Sequence, residues 1–530
     1  LVIKRKNLKN SKRKRRESMA QPNLQTEQKS HPTTFLDKLL GRVEAIGNKL
    51  PDPFILFVCL ALIIVVASVA INSMGVTVVH PGTNKTLPIK SLLSHEGIQY
   101  ILTSMLTNFT EFKPLGLVLA MMLGVGLAEK VGLLEVAIKK TILNAPKALI
   151  TYAIIFTGIM ANLAADAAFV IVPPLAAMIF YTVGRHPLAG LAAGFAGVGS
   201  GFTANLIISG TDGLLSGIST EAAKTIDPSA AVSPAANWYF MAASVFVLTV
   251  IGAIVTEKIV EPRLGNYKGK KRNDFGEISE AEAKGLKNSI VATCIYVAVL
   301  AVFLFWPNSP LRNEDGGIVP SPFLDGIIPI TLLFFVVVGS VYGITVGKIK
   351  SSRDVPAYMT DSMKDMASYI VLIFAAAQFI AYFNWTNIGT WIAVEGADAL
   401  KALNLTGLPV VVGFVFLTVV LSLLIFSGSA QWALEAPIFI PLFMLLGYNP
   451  GFIQAAYRIA DSSTNVITPL NPYMIVILAF MKEYEPKAGL GTIISLMLPY
   501  TLAFLGIWIV MLLIFAVFGI PLGPGVYMYL

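Results

Sequence analysis

Tyr457-Arg458-Ile459-Ala460-Asp461-Ser462-Ser463-Thr464-Asn465-Val466-Ile467-Thr468-Pro469-Leu470-Asn471-Pro472 places two ionisable side chains, a run of hydroxyls and amides, and two prolines inside an otherwise apolar stretch. Proline lacks the amide hydrogen and clashes with the preceding turn, so a helix running over residues 451–481 is expected to break here. The chain breaks in a similar way once more, in residues 188–215, where Gly194, Gly197, Gly199, Ser200, Gly201, Thr203, Asn205, Ser209, Gly210, Thr211 and Asp212 interrupt the apolar pattern. Each break follows an apolar stretch with a polar middle: Met160-Ala-Asn162-Leu-Ala-Ala-Asp166 within about 148–184, and Ser427-Gly-Ser429-Ala-Gln431-Trp432 within about 405–447. These read as re-entrant hairpins, whose non-helical tips survive at membrane depth only when buried in protein or lining a cavity.

The rest of the chain supplies the membrane. Its 530 residues are 55% hydrophobic and 13% charged, with mean hydropathy +0.72, which excludes an ordinary soluble domain. The net charge of +8 does not mark a nucleic-acid binder, because Lys and Arg concentrate in short segments between apolar spans, as orientation signals do. Cys59 and Cys294 fall inside predicted spans without metal-ligand spacing and are expected to be reduced, buried thiols.

Charge and hydropathy then give a route. Residues 1–34 are basic and expected to be disordered, with 1–18 read as an added prefix ahead of Met19; residues 35–50 form an amphipathic helix on the cytoplasmic surface. The first half, 51–256, has spans at 54–74 and 115–133, an outer loop between them reaching about Pro114, then the first hairpin, the broken helix and a span at 236–256. Lys258, Arg263, Lys268, Lys270, Lys271 and Arg272 place the 257–287 loop inside. The second half, 288–520, has spans at 288–306, 325–346 and 367–386, a hairpin entering from the opposite face, the second broken helix and a last span at 490–519, leaving the tail 521–530 outside. The expected fold is an all-α integral membrane protein with nine transmembrane helices and two re-entrant hairpins in inverted repeats.

Residue correspondence between the halves is modest. Asn162 and Asp166 match Gln431 and Glu435, with Pro173 and Pro174 answering Pro441, and Ser200 to Asn205 mirrors Ser462 to Asn465 with an offset. Unwinding a helix frees N–H groups at one half-helix start and C=O groups at the other half-helix end, so a pair of breaks at midplane offers sites for an anion and for Na⁺. Asn162, Asn205, Thr464 and Asn465 are the candidates for a Na⁺ shell, and Ser427, Ser429, Thr468 and Asn471 add polar groups around a substrate. Asp166, Asp212, Glu435, Arg458 and Asp461 are costly in a bilayer and therefore functional candidates or structural pairs. Arg458 and Asp461, three apart, can pair with each other, or Arg458 can take a substrate carboxylate while Asp461 or Asp212 carries H⁺ or Na⁺. For Glu435 and Asp166 the structural alternative is helix-end capping, and for Asp212 a turn. Trp432 is placed to stack on an aromatic solute or to anchor at an interface.

At Ser427–Trp432 and at Tyr457–Pro472 the sequence closely resembles the p-aminobenzoyl-glutamate transporter (AbgT) family, and the likeness runs from about residue 35 onward. The resemblance implies a homodimeric bacterial inner-membrane transporter with a scaffold domain and a transport domain holding both hairpins, similar in plan to elevator-type carriers. It also implies functional positions at Asp212, Trp432, Pro450, Arg458 and Asp461, with Asn465 in an ion shell. The implied substrates are p-aminobenzoyl-glutamate and sulfonamide antimetabolites, driven by a proton or sodium gradient, with no cofactor beyond a bound Na⁺. Competing readings are an uptake-only sodium symporter for another small carboxylate, and a channel, which needs continuous polar lining rather than two patches. An enzyme is not expected, since the polar clusters hold neither a His-Glu-x-x-His pattern nor a Ser nucleophile with a Lys or His partner.

Overall fold

A computed structural model of the chain describes residues 51–81, 84–164, 166–267 and 278–530, the side chains of 164, 166 and 167 excepted. The expected basic segment 1–34 and amphipathic helix 35–50 lie outside the described residues, as does 268–277 of the expected inner loop. Helices of ten or more residues are numbered in chain order.

Sequence punctuation sets most helix starts. Helix α1 (Pro53–Ser73) begins on proline behind Asp52, whose side chain accepts from Phe54 N at 2.9 Å. A two-stranded ribbon, β1 (Thr77–Val79) antiparallel to β2 (Thr86–Pro88), leads into α2 (His95–Thr110). Helix α3 (Lys113–Lys130) follows after a two-residue break, then α4 (Leu133–Leu143). The stretch expected as an outer loop up to Pro114 is therefore largely structured: Ser94 caps α2 by accepting from Gly97 N at 3.0 Å, and its Leu102 and Leu106 face outward as lipid contacts do.

Helices α5 (Ile150–Met160) and α6 (Asp166–Thr182) are joined by a 3₁₀ turn at Ala161–Ala164 and followed by α7 (Pro187–Ser200). A Cβ on Gly158 would lie 3.0 Å from Gly197 Cα, and Gly201 abuts Ile159, so α5 and α7 run parallel. Gly194 packs on Pro173 while Gly190 packs on Ala176, so α6 runs antiparallel to both. Helices α5 and α6 are thus a hairpin closed against α7. Helix α8 (Gly210–Ala223) resumes after a non-helical stretch, and α9 (Trp238–Val255) continues through a π turn at Thr256–Val260 to Glu261–Leu264.

In the second half α10 (Glu280–Phe305) opens on a capping box, Ser279 with Glu282. Then come α11 (Ile327–Thr345), α12 (Asp354–Asp365), α13 (Ala367–Trp385) and α14 (Ile388–Ala402); the sequence reading had no helix for α12 or α14. Helices α15 (Leu408–Ser422) and α16 (Gly428–Leu445) are again a hairpin: Gln431 bonds Ser422 and Glu435 bonds Thr418, which requires antiparallel limbs. Helix α17 (Pro450–Thr464) is separated by residues 465–472 from α18 (Tyr473–Tyr484), and α19 (Leu490–Val517) ends the bundle. The tail returns to the start of α17, where Asn449 N donates to Met528 O at 2.9 Å.

Among the described residues seven helical segments are long and apolar enough to cross a membrane: Pro53–Ser73, His95–Lys130, Trp238–Leu264, Glu280–Phe305, Ile327–Thr345, Ala367–Trp385 and Leu490–Val517. The broken helices are absent from that set because their pieces, of 14 and 14 or 15 and 12 residues, are each too short. An apolar layer joins α3 to α11 through Met121, Val125, Ala128, Phe335, Val338 and Tyr342. By contrast α1 and α10 bury only three residues each. That corrects the expectation for the two cysteines: Cys59 and Cys294 are free thiols on outward faces of α1 and α10. An apolar span is removed from water by lipid as readily as by protein, so hydropathy alone does not distinguish the two.

Candidate functional site

The first break, residues 201–209, is held open by its own side chains. Asp212 sits in the first turn of α8, where its Oδ2 accepts from Ser209 N at 2.7 Å and from Ser209 Oγ at 2.8 Å, with Asn205 Nδ2 at 3.3 Å. This satisfies orphan donors at a helix start and places a carboxylate on the positive end of the helix. Asn162, at the tip of the first hairpin, donates through Nδ2 to Ala204 O at 2.9 Å, tying that tip to the break. Asp166 has no described side chain.

The other Asp212 oxygen, Oδ1, accepts from Arg458 Nη1 at 2.7 Å. Arg458 is fully buried on α17, and its Nη2 donates to Thr203 O in the first break at 2.7 Å, with Nη1 also reaching Asn237 Oδ1 at 3.5 Å. The expected Arg458–Asp461 pair is thereby corrected: the guanidinium crosses to the first half. Three positions turn a helix by about 300°, leaving the two side chains roughly 60° apart. Arg458 points at α8 and Asp461 at the tip of the second hairpin.

At that tip, a Cβ on Gly428 would lie 2.9 Å from both carboxylate oxygens of Asp461, so glycine lets the tip close over the acid. Tyr457 Oη donates to Gly428 O, fixing the same contact. Asp461 Oδ1 is buried with no hydrogen-bond partner. Ser427 caps α16 through Ala430 N at 3.4 Å and meets Ser429 Oγ at 3.2 Å. Trp432 is fully buried: its ring lies against Tyr457, centroids 4.4 Å apart, and its Nε1 donates to Ser219 Oγ at 3.1 Å and Leu215 O at 3.3 Å on α8.

The last turn of α17, leading into the second break, closes on the first break and the end of α7. Thr203 Oγ1 and Ser462 Oγ are 2.7 Å apart, and Ser200 Oγ donates to Ser463 O at 3.4 Å. Thr468 Oγ1 donates to Leu423 O at 3.1 Å, joining the second break to the second hairpin. Asn471 stabilises the break internally, its Nδ2 donating to Asn465 O at 2.8 Å and its Oδ1 accepting from Tyr473 N at 2.9 Å. Thr464 bonds back along its own helix to Ala460 O, and Asn205 is committed to the first break. Asn162, Asn205, Thr464 and Asn465 therefore lie around the convergent breaks; Asn162 Nδ2 and Thr464 Oγ1 bond to backbone carbonyls, and Asn205 Nδ2 meets Ser209 and Asp212.

Several residues were not read from the sequence as site members: Thr203, Tyr457, Ser219, Asn237 and Gln454. Asn237 Oδ1 accepts from Gln454 Nε2 at 2.8 Å, and Gln454 Oε1 accepts from Ser219 Oγ at 2.7 Å, so a polar chain links α8, α9 and α17 beside Arg458. The signal was a polar amide inside an apolar helix, as at Gln454. Its partner is a tertiary contact that no spacing reveals.

Charge is unbalanced at this site. Asp212, Glu435 and Asp461 are buried and ionisable, while Arg458 is the one buried cation beside them among the described residues. No group of three or more His, Cys, Asp and Glu able to hold a metal occurs among the described residues. An opening of about 900 Å³ is lined by Lys113, Asp227, Asp325, Asn449, Pro450 and Val526 among others. It reaches the start of α17 at Pro450, about 16 Å of helix away from Asp461, and so touches the approach rather than the convergent breaks.

The model of the AbgT putative transporter family matches residues 38–530. The p-aminobenzoyl-glutamate transport protein of Escherichia coli (strain K12) is 45% identical over 491 residues, covering 92% of this chain and 97% of that protein. Among solved structures, the Alcanivorax borkumensis YdaH transporter, described as having an unusual topology, matches with TM-score 0.86 and 40% identity, covering 89% of this chain and all of that one. Neisseria gonorrhoeae MtrF, described as illuminating a class of antimetabolite efflux pumps, matches with TM-score 0.86 and 43% identity over 92% of this chain and all of its own.

Proposed function

The chain belongs to the AbgT transporter family, a multi-pass membrane protein, and from that premise we propose that it is an ion-coupled secondary transporter of p-aminobenzoyl-glutamate and related aromatic compounds, including efflux of sulfonamide antimetabolites. The observation that carries this reading is the convergence of two helix breaks from opposite halves of the chain, bridged by Arg458 to Asp212 and Thr203. A solute carboxylate is recognised at the guanidinium, whose Nε remains buried without a partner. Asp461, with an unpartnered oxygen and no ion pair among the described residues, takes the coupling H⁺ or Na⁺.

The two halves support an inverted-repeat reading by reciprocal packing. Phe169 at the start of α6 stacks on Tyr473 of α18, centroids 4.3 Å apart, and Trp432 at the start of α16 bonds to α8. Each hairpin's second limb thus leans on the later piece of the other half's broken helix. Counting each broken helix as one crossing brings the seven spans to nine. The transport domain is the pair of hairpins with α7, α8, α17 and α18, moving as an elevator against a scaffold that includes α3, α10 and α11, in a homodimer in the bacterial inner membrane with its N-terminus inside.

Flux of labelled p-aminobenzoyl-glutamate and a sulfonamide into oriented proteoliposomes, under separately imposed pH and Na⁺ gradients, tests the proposal. Saturable flux driven by one gradient and lost in Asp461→Asn supports it. Passive, non-saturating conductance contradicts it.

A further inference from the structure

Glu435 has no place in the substrate and coupling roles above, yet it is 1% exposed and lies between the limbs of the second hairpin. Its Oε2 meets Thr418 Oγ1 at 2.7 Å and its Oε1 accepts from Gln431 Nε2 at 2.7 Å, both neutral partners. No Lys, Arg or His within ion-pair distance balances it among the described residues. The Gln431 amide gives its two hydrogens to Glu435 Oε1 and to Ser422 Oγ at 3.0 Å, and Ser422 Oγ in turn donates to Thr418 O at 2.8 Å, whereas Gln431 Oε1 is buried without any partner. Every hydrogen that reaches the carboxyl group comes from a neutral donor. An ionised carboxylate held this way, at membrane depth and without a cation, pays the full desolvation cost.

We propose that Glu435 is a second proton-binding site, carried inside the hairpin and separate from the Asp461 site, so that the α15–α16 contact forms around a neutral carboxylic acid. The proton sits on Oε2, where the acid donates to the Thr418 hydroxyl across the observed 2.7 Å contact; a hydroxyl accepts as readily as it donates. A sodium ion suits the pocket less well, because the Gln431 N–H groups point into it. The proton is exchanged when the limbs part, giving a step that depends on pH and is distinct from the ion taken by Asp461. The proposal rests on the transport reading for its consequence but not for its existence.

The titratable surroundings are few. Helix α17 contributes Asp461 and Tyr457, both in electrostatic reach of Glu435, and Arg458, which is committed to Asp212 of α8. Helix α8 otherwise offers Glu221, paired to Lys224; α14 offers the exposed Glu395 and the Asp398–Lys401 pair; α13 offers Tyr369 and Tyr382; α15 offers none.

Two readouts decide the matter. Infrared difference spectra of purified protein, titrated in H₂O and D₂O, report protonated carboxyl groups whether or not the protein transports. The expected result is a buried-carboxyl band in the parent protein that disappears in Glu435→Gln and persists in Asp461→Asn. In proteoliposomes with an internal pH dye, Glu435→Gln is expected to move one proton fewer per solute and to lose proton-driven flux by about tenfold or more, while p-aminobenzoyl-glutamate still binds. Thr418→Val, which keeps the acid and removes its partner, is expected to shift the band without abolishing it. A band unchanged in Glu435→Gln, an unchanged proton count, or a loss of Na⁺ dependence with protons retained each overturns the proposal. Absence of flux in the parent protein instead counts against the transport reading, and the spectra still decide this one.

Discussion

The two hairpin-and-break units do similar architectural work with opposite materials. In the first, α5, α6 and α7 meet through small residues: Gly158 against Gly197 and Gly194 against Pro173, at spacings where a Cβ would come within about 3 Å of backbone. In the second, α15, α16 and α17 meet through Gln431, Trp432, Glu435, Tyr457 and Asp461. The buried side-chain atoms without partners divide accordingly. Gln431 Oε1, Arg458 Nε and Asp461 Oδ1 belong to the second unit, against Thr157 Oγ1 in the first. Close packing leaves a unit with nothing to gain from a ligand, whereas buried groups lacking partners are stabilised by whatever arrives to satisfy them. On the proposed function, the first unit serves as a platform and the second as the side that binds.

The strongest way to break this comparison is to cut the tie between the units. Arg458→Ala leaves Asp212 buried and unpaired, a loss of about 3–5 kcal/mol. Thermal unfolding in detergent is expected to shift down sharply and flux to fall to background, with Arg458→Lys recovering part of the stability but little of the flux. Stability and flux both near parent values would show that the halves do not depend on this bridge.

A paired substitution sharpens the contrast. Gly197→Val overpacks the platform, costing about 1–3 kcal/mol, and is expected to lower the unfolding temperature while surviving protein keeps its affinity for solute. Gly428→Ala instead presses a methyl onto the Asp461 carboxylate, which can move, so flux is expected to suffer more than stability. The reverse pattern would exchange the two roles. Smaller still, Trp432→Phe keeps a ring on Tyr457 and loses the bond to Ser219, about 1 kcal/mol. At the lower end, Thr157→Val removes the platform's unpartnered hydroxyl and is expected to change stability by under about 1 kcal/mol with no effect on flux.

Local chemistry made much of this readable from residues. The glycine run before Asn205 and the prolines after Thr468 announce the breaks, and Pro187, Pro409 and Pro450 open helices where N-terminal proline is tolerated. What stayed hidden depends on contacts far apart in the chain. Arg458 and Asp461 look like a pair along one helix, but Asp212, 246 positions earlier, offers the guanidinium a preset carboxylate at a helix start. The contacts of the Trp432 indole with Tyr457 and Ser219 are likewise distant in the chain and carry no local signal. Glu435 resembles a helix cap until Thr418 and Gln431 are seen to enclose it. Helix α2 was hidden for a different reason, since its polar Thr, Ser and Asn residues read as a loop once their bonds back along the helix are ignored.

The two halves meet where Thr203 of the first break touches Ser462 in the last turn of α17, just before the second, their hydroxyl oxygens 2.7 Å apart. Oxidative cross-linking of Thr203→Cys with Ser462→Cys in native membranes, after Cys59 and Cys294 are replaced, measures that contact directly. Rapid formation of an intramolecular disulfide that arrests flux, restored by reduction, is the predicted result. Two thiols that stay separately reactive under the same oxidation would contradict it.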